Sequence, residues 1–353
     1  MSGVQTGGVA ASPSVGVVRW LYDAKFDLTL IGVTAAWALG AGLCVSIDPS
    51  LFLPILALDI WLLGYQHVVA TFTRLAFDAD SFRANRFLVV QLPILVAAST
   101  IAASLALGSW IIATVYLYWQ WFHYTRQSYG ISRMYLRKAG RHVPSRDLPT
   151  FGVIYLVPLV GILRRSAQQP DLFLGMPVKC PPVPIQALYV VALLAGACLL
   201  VWLIREGAAY VRGETDGLYA SYVLSHVAVF TTGYLLISNI DHGWLVLNIW
   251  HNAQYVMIVW MHNNNRFHQG VDPRHRFLST ISQRRHAPAY FLVCIGLATV
   301  LYLAVQQGLS LLANQMISAS LVGYMIINFH HYIVDAIIWR RRRVGVLQRS
   351  PAT

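Results

Sequence analysis

Apolar residues gather into long runs, and basic residues gather between them. A helix needs about 20 mostly apolar residues to cross the hydrocarbon of a bilayer. Ten stretches meet or approach that length: 28–47, 51–73, 86–107, 109–130, 149–164, 183–205, 217–239, 243–263, 288–312 and 317–339. They predict an all-α, polytopic transmembrane helix bundle of about ten spans. Residues 19–345 read as a single membrane domain, with no internal repeat and no soluble domain of any size. Residues 1–18 read as a flexible tail, lacking the basic start and apolar stretch of a signal peptide. Residues 346–353 form a second tail.

The basic residues predict the orientation, because Lys and Arg concentrate in cytoplasmic loops. With the N-terminus in the cytoplasm, all of the 26 lysines and arginines except Arg164, Arg165 and Lys179 fall on that side. The C-terminus follows, and the largest loops, 131–148 and 264–287, are cytoplasmic. The rule also supports the short fifth stretch. Were 149–164 not to cross, Arg266, Arg274, Arg276, Arg284 and Arg285 would move outside. Asn263, Asn264 and Asn265 are expected to end the eighth helix.

Composition agrees with a lipid environment: 57% of residues are hydrophobic and 11% charged, against roughly 25% charged in soluble domains. The net charge of +12 would suit a nucleic-acid binder if the basic residues formed a patch. Spread between apolar runs, they read as topology signals, and no nucleic acid is expected. Arg340 to Arg343 reads as a stop signal and a contact for anionic membrane lipids. The expected location is the cytoplasmic (inner) membrane of a bacterium. Cys44, Cys180, Cys198 and Cys294 form no CxxC pair, so a thiolate metal site is not indicated.

Histidine changes the picture. His67, His123, His226, His251, His262, His330 and His331 fall within predicted spans, all between the bilayer middle and the cytoplasmic side. Ionisable residues in spans are costly and default to functional hypotheses. Imidazole is the commonest protein metal ligand, so these residues at one depth are candidate ligands. His251 and His262 share a helix face but lie about 16 Å apart, too far for one ion. His331 and Asp335 are four apart and within mutual reach, as are His123 and Gln127. Asp335, Tyr124 and Gln127 are the candidate catalytic and supporting groups, with Asn252 and Gln254 beside the ligands. A single histidine of this kind ordinarily serves as an interhelical hydrogen-bonding residue. His142, His268, His275 and His286 lie in basic loops and read as solvent- or headgroup-facing. Asp59, inside the second span, reads as a proton-relay residue or a partner of a neighbouring helix.

On this histidine set, with His330-His331 as the element nearest to an HH motif, the chain resembles the histidine-rich membrane non-haem iron enzymes. These comprise fatty-acid desaturases, alkane and lipid hydroxylases and bacterial carotene-cleaving oxygenases. The chain lacks their HxxxH and HxxHH boxes, so no residue is carried over by position. The resemblance implies an oxygenase, hydroxylase or desaturase. It would hold one or two iron ions, with copper or zinc also accepting such ligands. Its partners would be a lipid or isoprenoid-like substrate, dioxygen and an electron donor.

Three other classes fit parts of the pattern. A b-type cytochrome would hold haem between facing histidines such as His226 and His251. A proton-coupled transporter would use histidine and Asp59 as a relay, although neither inverted repeats nor paired broken helices are visible. A membrane lipid acyltransferase would need one essential histidine rather than a set.

Overall fold

The computed structural model describes residues 18–141, 147–215, 217–312 and 319–339. The N-terminal tail through residue 17, His142, Arg146, the Arg340–Arg343 run and the C-terminal tail lie outside the described residues.

Each predicted stretch contains a helix. We label them α1 (Ala24–Ile47), α2 (Pro49–Leu75), α3 (Phe87–Leu107), α4 (Ser109–Lys138), α5 (Leu148–Ala167), α6 (Ile185–Val211), α7 (218–236), α8 (Ile240–Arg266), α9 (Ala287–Leu312) and α10 (Ala319–Ile338). Short helices Ala79–Ala84 and Arg276–Ile281 lie in the loops after α2 and α8. Helix starts follow local chemistry. Asp23 accepts from the Phe26 amide at the head of α1, and Asn239 accepts from the Asp241 and His242 amides at the head of α8, supplying acceptors to otherwise orphaned donors.

Six segments are long and apolar enough to cross a membrane: α1, α2, α3, α5, α6 and Arg284–Ala304, which holds most of α9. They mark the chain as a helical membrane protein. The four remaining helices, α4, α7, α8 and α10, carry His123, His226, His251, His262, His330 and His331. Polar residues lower the mean apolarity of α4, α7 and α8, whereas in α10 the segment Val322–Ile338 is apolar but shorter. Neighbouring helices cover much of all four. The extreme case is α8, which is buried on nearly every side from Gly243 to Asn263. It packs against α1, α2, α4 and α7, while α10 packs against α2, α3, α4 and α9. By contrast α6 leaves Leu193, Leu200 and Ile204 exposed, as a lipid-facing helix does.

The fourth and sixth helices outrun their predicted ends, the sixth reaching Val211. The fourth helix runs on to Lys138, because Ile131, Tyr135 and Leu136 remain buried and Tyr135 stacks on Tyr222 at 5.6 Å. The eighth ends within one residue of the asparagines, at Arg266, as expected. Asn263 donates to Thr73 Oγ1 at 2.7 Å and Asn264 to the Ser282 carbonyl at 2.8 Å. These asparagines bind neighbouring elements without breaking their own helix.

Arg164 and Arg165, two of the basic residues that the orientation leaves outside, have a structural role. Arg165 is 1% exposed. Its guanidinium donates to the carbonyls of Gly233 at 3.0 Å, Ser238 at 2.5 Å and Ile237, while Arg164 donates to Tyr234 and Leu235. The end of α7 leaves carbonyls without intrahelical partners, and the two arginines satisfy them. Here α7 and α8 approach so closely that a Cβ on Gly243 would collide with the Gly233 carbonyl. At the same end a two-residue hairpin pairs Leu172–Phe173 with Met176–Pro177 through Leu174 and Gly175, both at positive φ. The hairpin inserts the fully buried Phe173 against Tyr116 and Trp244. Cys44 and Cys180 are free thiols.

At the arginine-rich end, Arg266 pairs with Asp78 at 2.8 Å. Burial alone would raise the Asp78 carboxyl. The bonds from Arg266 and Ser81 outweigh it and hold the group down at about 2.

Candidate metal centre

Four helices each bring one histidine to a common point. On α8, Asn248, His251, Asn252 and Tyr255 follow the i, i+3, i+4, i+7 spacing of one helix face. On α2, Asp59 and His67 are eight residues apart, which in an uninterrupted helix would set them about 80° apart. Between them Ile60–Gly64 forms a π-helical turn. The wider turn takes up one extra residue, so the two side chains return to within about 20° of each other. Both then face α8: Asn248 Nδ2 donates to Asp59 Oδ2 at 2.5 Å, and the His67 ring lies 5.7 Å from the His251 ring. His123 from α4 and His331 from α10 complete the group.

The four rings form a closed circuit. Centroid distances are 5.7 Å for His67–His251, 4.9 Å for His251–His123, 4.9 Å for His123–His331 and 4.6 Å for His331–His67. Ligand atoms of His67, His251 and His331 lie within 4.8 Å of one another, as do those of His123, His331 and Asp335. The Asp335 carboxylate is 3.7 Å from His331 Nε2 and 3.9 Å from His123 Nε2. A metal–imidazole bond is about 2.0–2.1 Å, so nitrogens across one ion sit up to about 4 Å apart. Small side-chain rotations bring either triplet into that range.

A hydrogen-bond chain closes on the same site. His331 Nδ1 is 3.1 Å from Thr71 Oγ1, Thr71 Oγ1 is 2.8 Å from the Tyr255 hydroxyl, and that hydroxyl donates to Asp335 Oδ1 at 2.5 Å. With Asp335 ionised, Tyr255 donates to it and Thr71 donates to Tyr255. His331 Nδ1–H then donates to Thr71. The lone pair of His331 is left on Nε2, which faces the group. The chain thus selects the tautomer a ligand needs, as hydrogen bonds to the distal nitrogen of metal-bound histidines do.

The residues present fit a metal. Both ring nitrogens of His67 and of His251, with Nε2 of His123 and of His331, are buried and lack hydrogen-bond partners. One His67 nitrogen lies toward the Leu63 and Gly64 carbonyls but outside hydrogen-bond geometry. Each buried polar group left unpaired costs about 1–3 kcal/mol, and several orphans at one point are rare in native interiors. A cation taking their lone pairs removes that cost.

Other candidates stand elsewhere. His226, on α7, bonds through Nε2 to the Ile154 carbonyl of α5 at 3.1 Å and packs on Phe230; it does not face His251 as a haem pair would. His330 bonds through Nε2 to the Leu88 carbonyl at 2.8 Å and stacks on Phe72. His262 lies three turns along α8 with its ring 6.1 Å from Trp339. The structure therefore brings His67, His123, His251 and His331 together and leaves His226, His262 and His330 apart. Tyr124 stacks on His251 at 4.1 Å and donates to Asn248 Oδ1 at 2.7 Å. Gln127 Nε2 donates to the His251 carbonyl at 3.1 Å. Both touch the group, as does Asp335. Gln254 instead bonds to the Leu30 carbonyl of α1, while Asn252 is buried beside Gly64.

Thr71 and Tyr255 escaped the sequence reading, although each lies four residues after a histidine of the group and so on its face. A cavity of about 350 Å³ borders the centre, with His123, Tyr255 and Asp335 at its inner end and Trp339 in its wall. Compared with known protein families, characterised proteins and solved structures, the chain matches none.

Proposed function

We propose that this is a ten-span membrane protein with both termini in the cytoplasm, and that its histidine quartet holds iron for the oxidation of a lipid-soluble substrate. The observation that carries the reading is the set of unpartnered imidazole nitrogens at one buried point, joined by a carboxylate from the same level. Imidazole with carboxylate suits iron, and copper or zinc would accept the same donors. Of these, zinc has no redox chemistry. When bound, the metal would supply dioxygen activation, with one or two ions accommodated by the two triplets that share His331.

The chain's own residues do the rest. His67, His123, His251 and His331 bind from four helices, so a shift of any one helix alters the geometry. Thr71 holds the Nδ1 proton of His331. Asp335 Oδ2, between two Nε2 atoms, ligates or holds a proton beside the reacting centre. Phe173, Trp244 and Tyr116 close the end opposite the arginines and exclude water. The substrate and the electron donor would then both approach from the arginine-rich end, read as cytoplasmic.

Elemental analysis with an optical spectrum on detergent-purified protein tests this reading. One or two equivalents of iron without a Soret band is the expected result. A Soret band would transfer the case to haem. Protein that stays metal-free after expression in metal-supplemented medium would sink the proposal.

A further inference from the structure

The same cavity has an electrostatic character that the metal does not explain. Its long wall is α4, which at 30 residues is about 45 Å long and exceeds the roughly 30 Å hydrocarbon core. From the buried centre toward the end of α4, the cavity passes Arg126, Arg133 and Arg137. At spacings of seven and four, these arginines lie on one face of the helix. They stand about 4.5, 15 and 21 Å along the axis from His123. Arg133 is held by the Tyr129 hydroxyl at 3.1 Å. Arg126, half-buried, lies over the Phe122 ring, and among the described residues neither it nor Arg137 makes an ion pair. The cavity's one carboxylate is Asp335, at the inner end. The remaining wall is largely apolar: Ile131, Met134, Ile258 and Trp339. Gly130 faces the space, and a Cβ there would meet nothing within 4 Å.

A row of cations on an apolar channel matches an apolar chain with an anionic head. Guanidinium forks hold carboxylates and phosphates in paired hydrogen bonds, and low-dielectric surroundings strengthen the attraction. We infer that the cavity lined by Arg126, Arg133 and Arg137 binds an acidic lipid, its carboxylate or phosphate held by the arginines and its apolar chain lying along α4 beside the histidine quartet. This inference rests on the quartet being the reaction centre, and it narrows the substrate class from lipid-soluble to amphiphilic and anionic.

The probe is a fluorescent long-chain fatty acid, titrated into the full chain in nanodiscs of zwitterionic lipid and compared with its methyl ester. The acid is expected to bind at least ~10-fold more tightly than the ester. Arg126→Gln should lose most of that margin, and Arg126→Lys should restore part of it. Gly130→Leu, which fills the cavity from an open position, should block acid and ester alike. Nanodiscs containing phosphatidylglycerol separate the two sources of such a head. Competition that depends on Arg126 assigns the site to a membrane phospholipid, and its absence assigns it to a free acid. Equal binding of acid and ester, or acid binding indifferent to both Arg126→Gln and Gly130→Leu, overturns the inference. Because binding is read without turnover, metal-free protein that still selects the acid would sink only the metal reading. Metal-loaded protein that ignores head charge would sink only this one.

Discussion

Two of the buried polar regions in this molecule treat their polar groups differently. Around the α5–α7 contact, Arg165 donates to the carbonyls of Gly233, Ile237 and Ser238, and His226 Nε2 meets the Ile154 carbonyl. At the quartet, six imidazole nitrogens from His67, His123, His251 and His331 have no hydrogen-bond partner. Burying a polar group is costly unless a partner replaces water. The first region meets most of its polar groups with its own backbone, leaving single atoms such as Arg165 Nε and His226 Nδ1 unpaired. The second is complete only with something that accepts lone pairs. Burial and residue type are shared by both, so the convergence of several unpaired nitrogens at one point separates a ligand from a packing histidine.

The sharpest way to break this comparison is to remove one histidine from each region. His331→Ala is expected to abolish stoichiometric metal in elemental analysis, because both triplets share His331. His226→Ala should keep the metal and lower only stability. Equal metal loss in both variants would erase the distinction. Next in size, Arg165→Met strands carbonyls of α7 in the interior. Each buried carbonyl left unpaired costs about 1–3 kcal/mol, so thermal unfolding in detergent should shift downward while metal content per folded protein stays constant. A smaller effect sharpens the account of the quartet. Thr71→Val keeps side-chain shape and removes the acceptor for His331 Nδ1. Loss of such an outer hydrogen bond weakens metal binding by about 10–100-fold, measurable by competition with a chelator. Unchanged affinity would show that the His331 tautomer is selected elsewhere.

The helices could be read from sequence because a bilayer demands long apolar runs, and the depth of the histidines followed from the same runs. Their convergence could not be read, because it depends on rotation about each helix axis. Neighbours His330 and His331 differ by about 100° around α10, so only His331 reaches the quartet while His330 turns to Leu88. On α2, the π-helical turn changes the angle between Asp59 and His67, and no regular period reveals it. The arginines of α4 were legible as charge but not as a site. Positive-inside loops and an anion-binding wall use the same residue type, and only the cavity beside Arg126, Arg133 and Arg137 tells the two apart.

The π-helical turn at Ile60–Gly64 also bears on how related chains should be compared. Loss of a single residue there would restore an ordinary helix without changing any ligand. Asp59 and His67 would then stand seven residues apart in a regular helix, again within about 20° of each other. What would swing His67 away by about 100° is the turn tightening to α-helix with all of its residues kept. A histidine one residue nearer to the aspartate, in a chain without the extra residue, therefore holds the same place as His67.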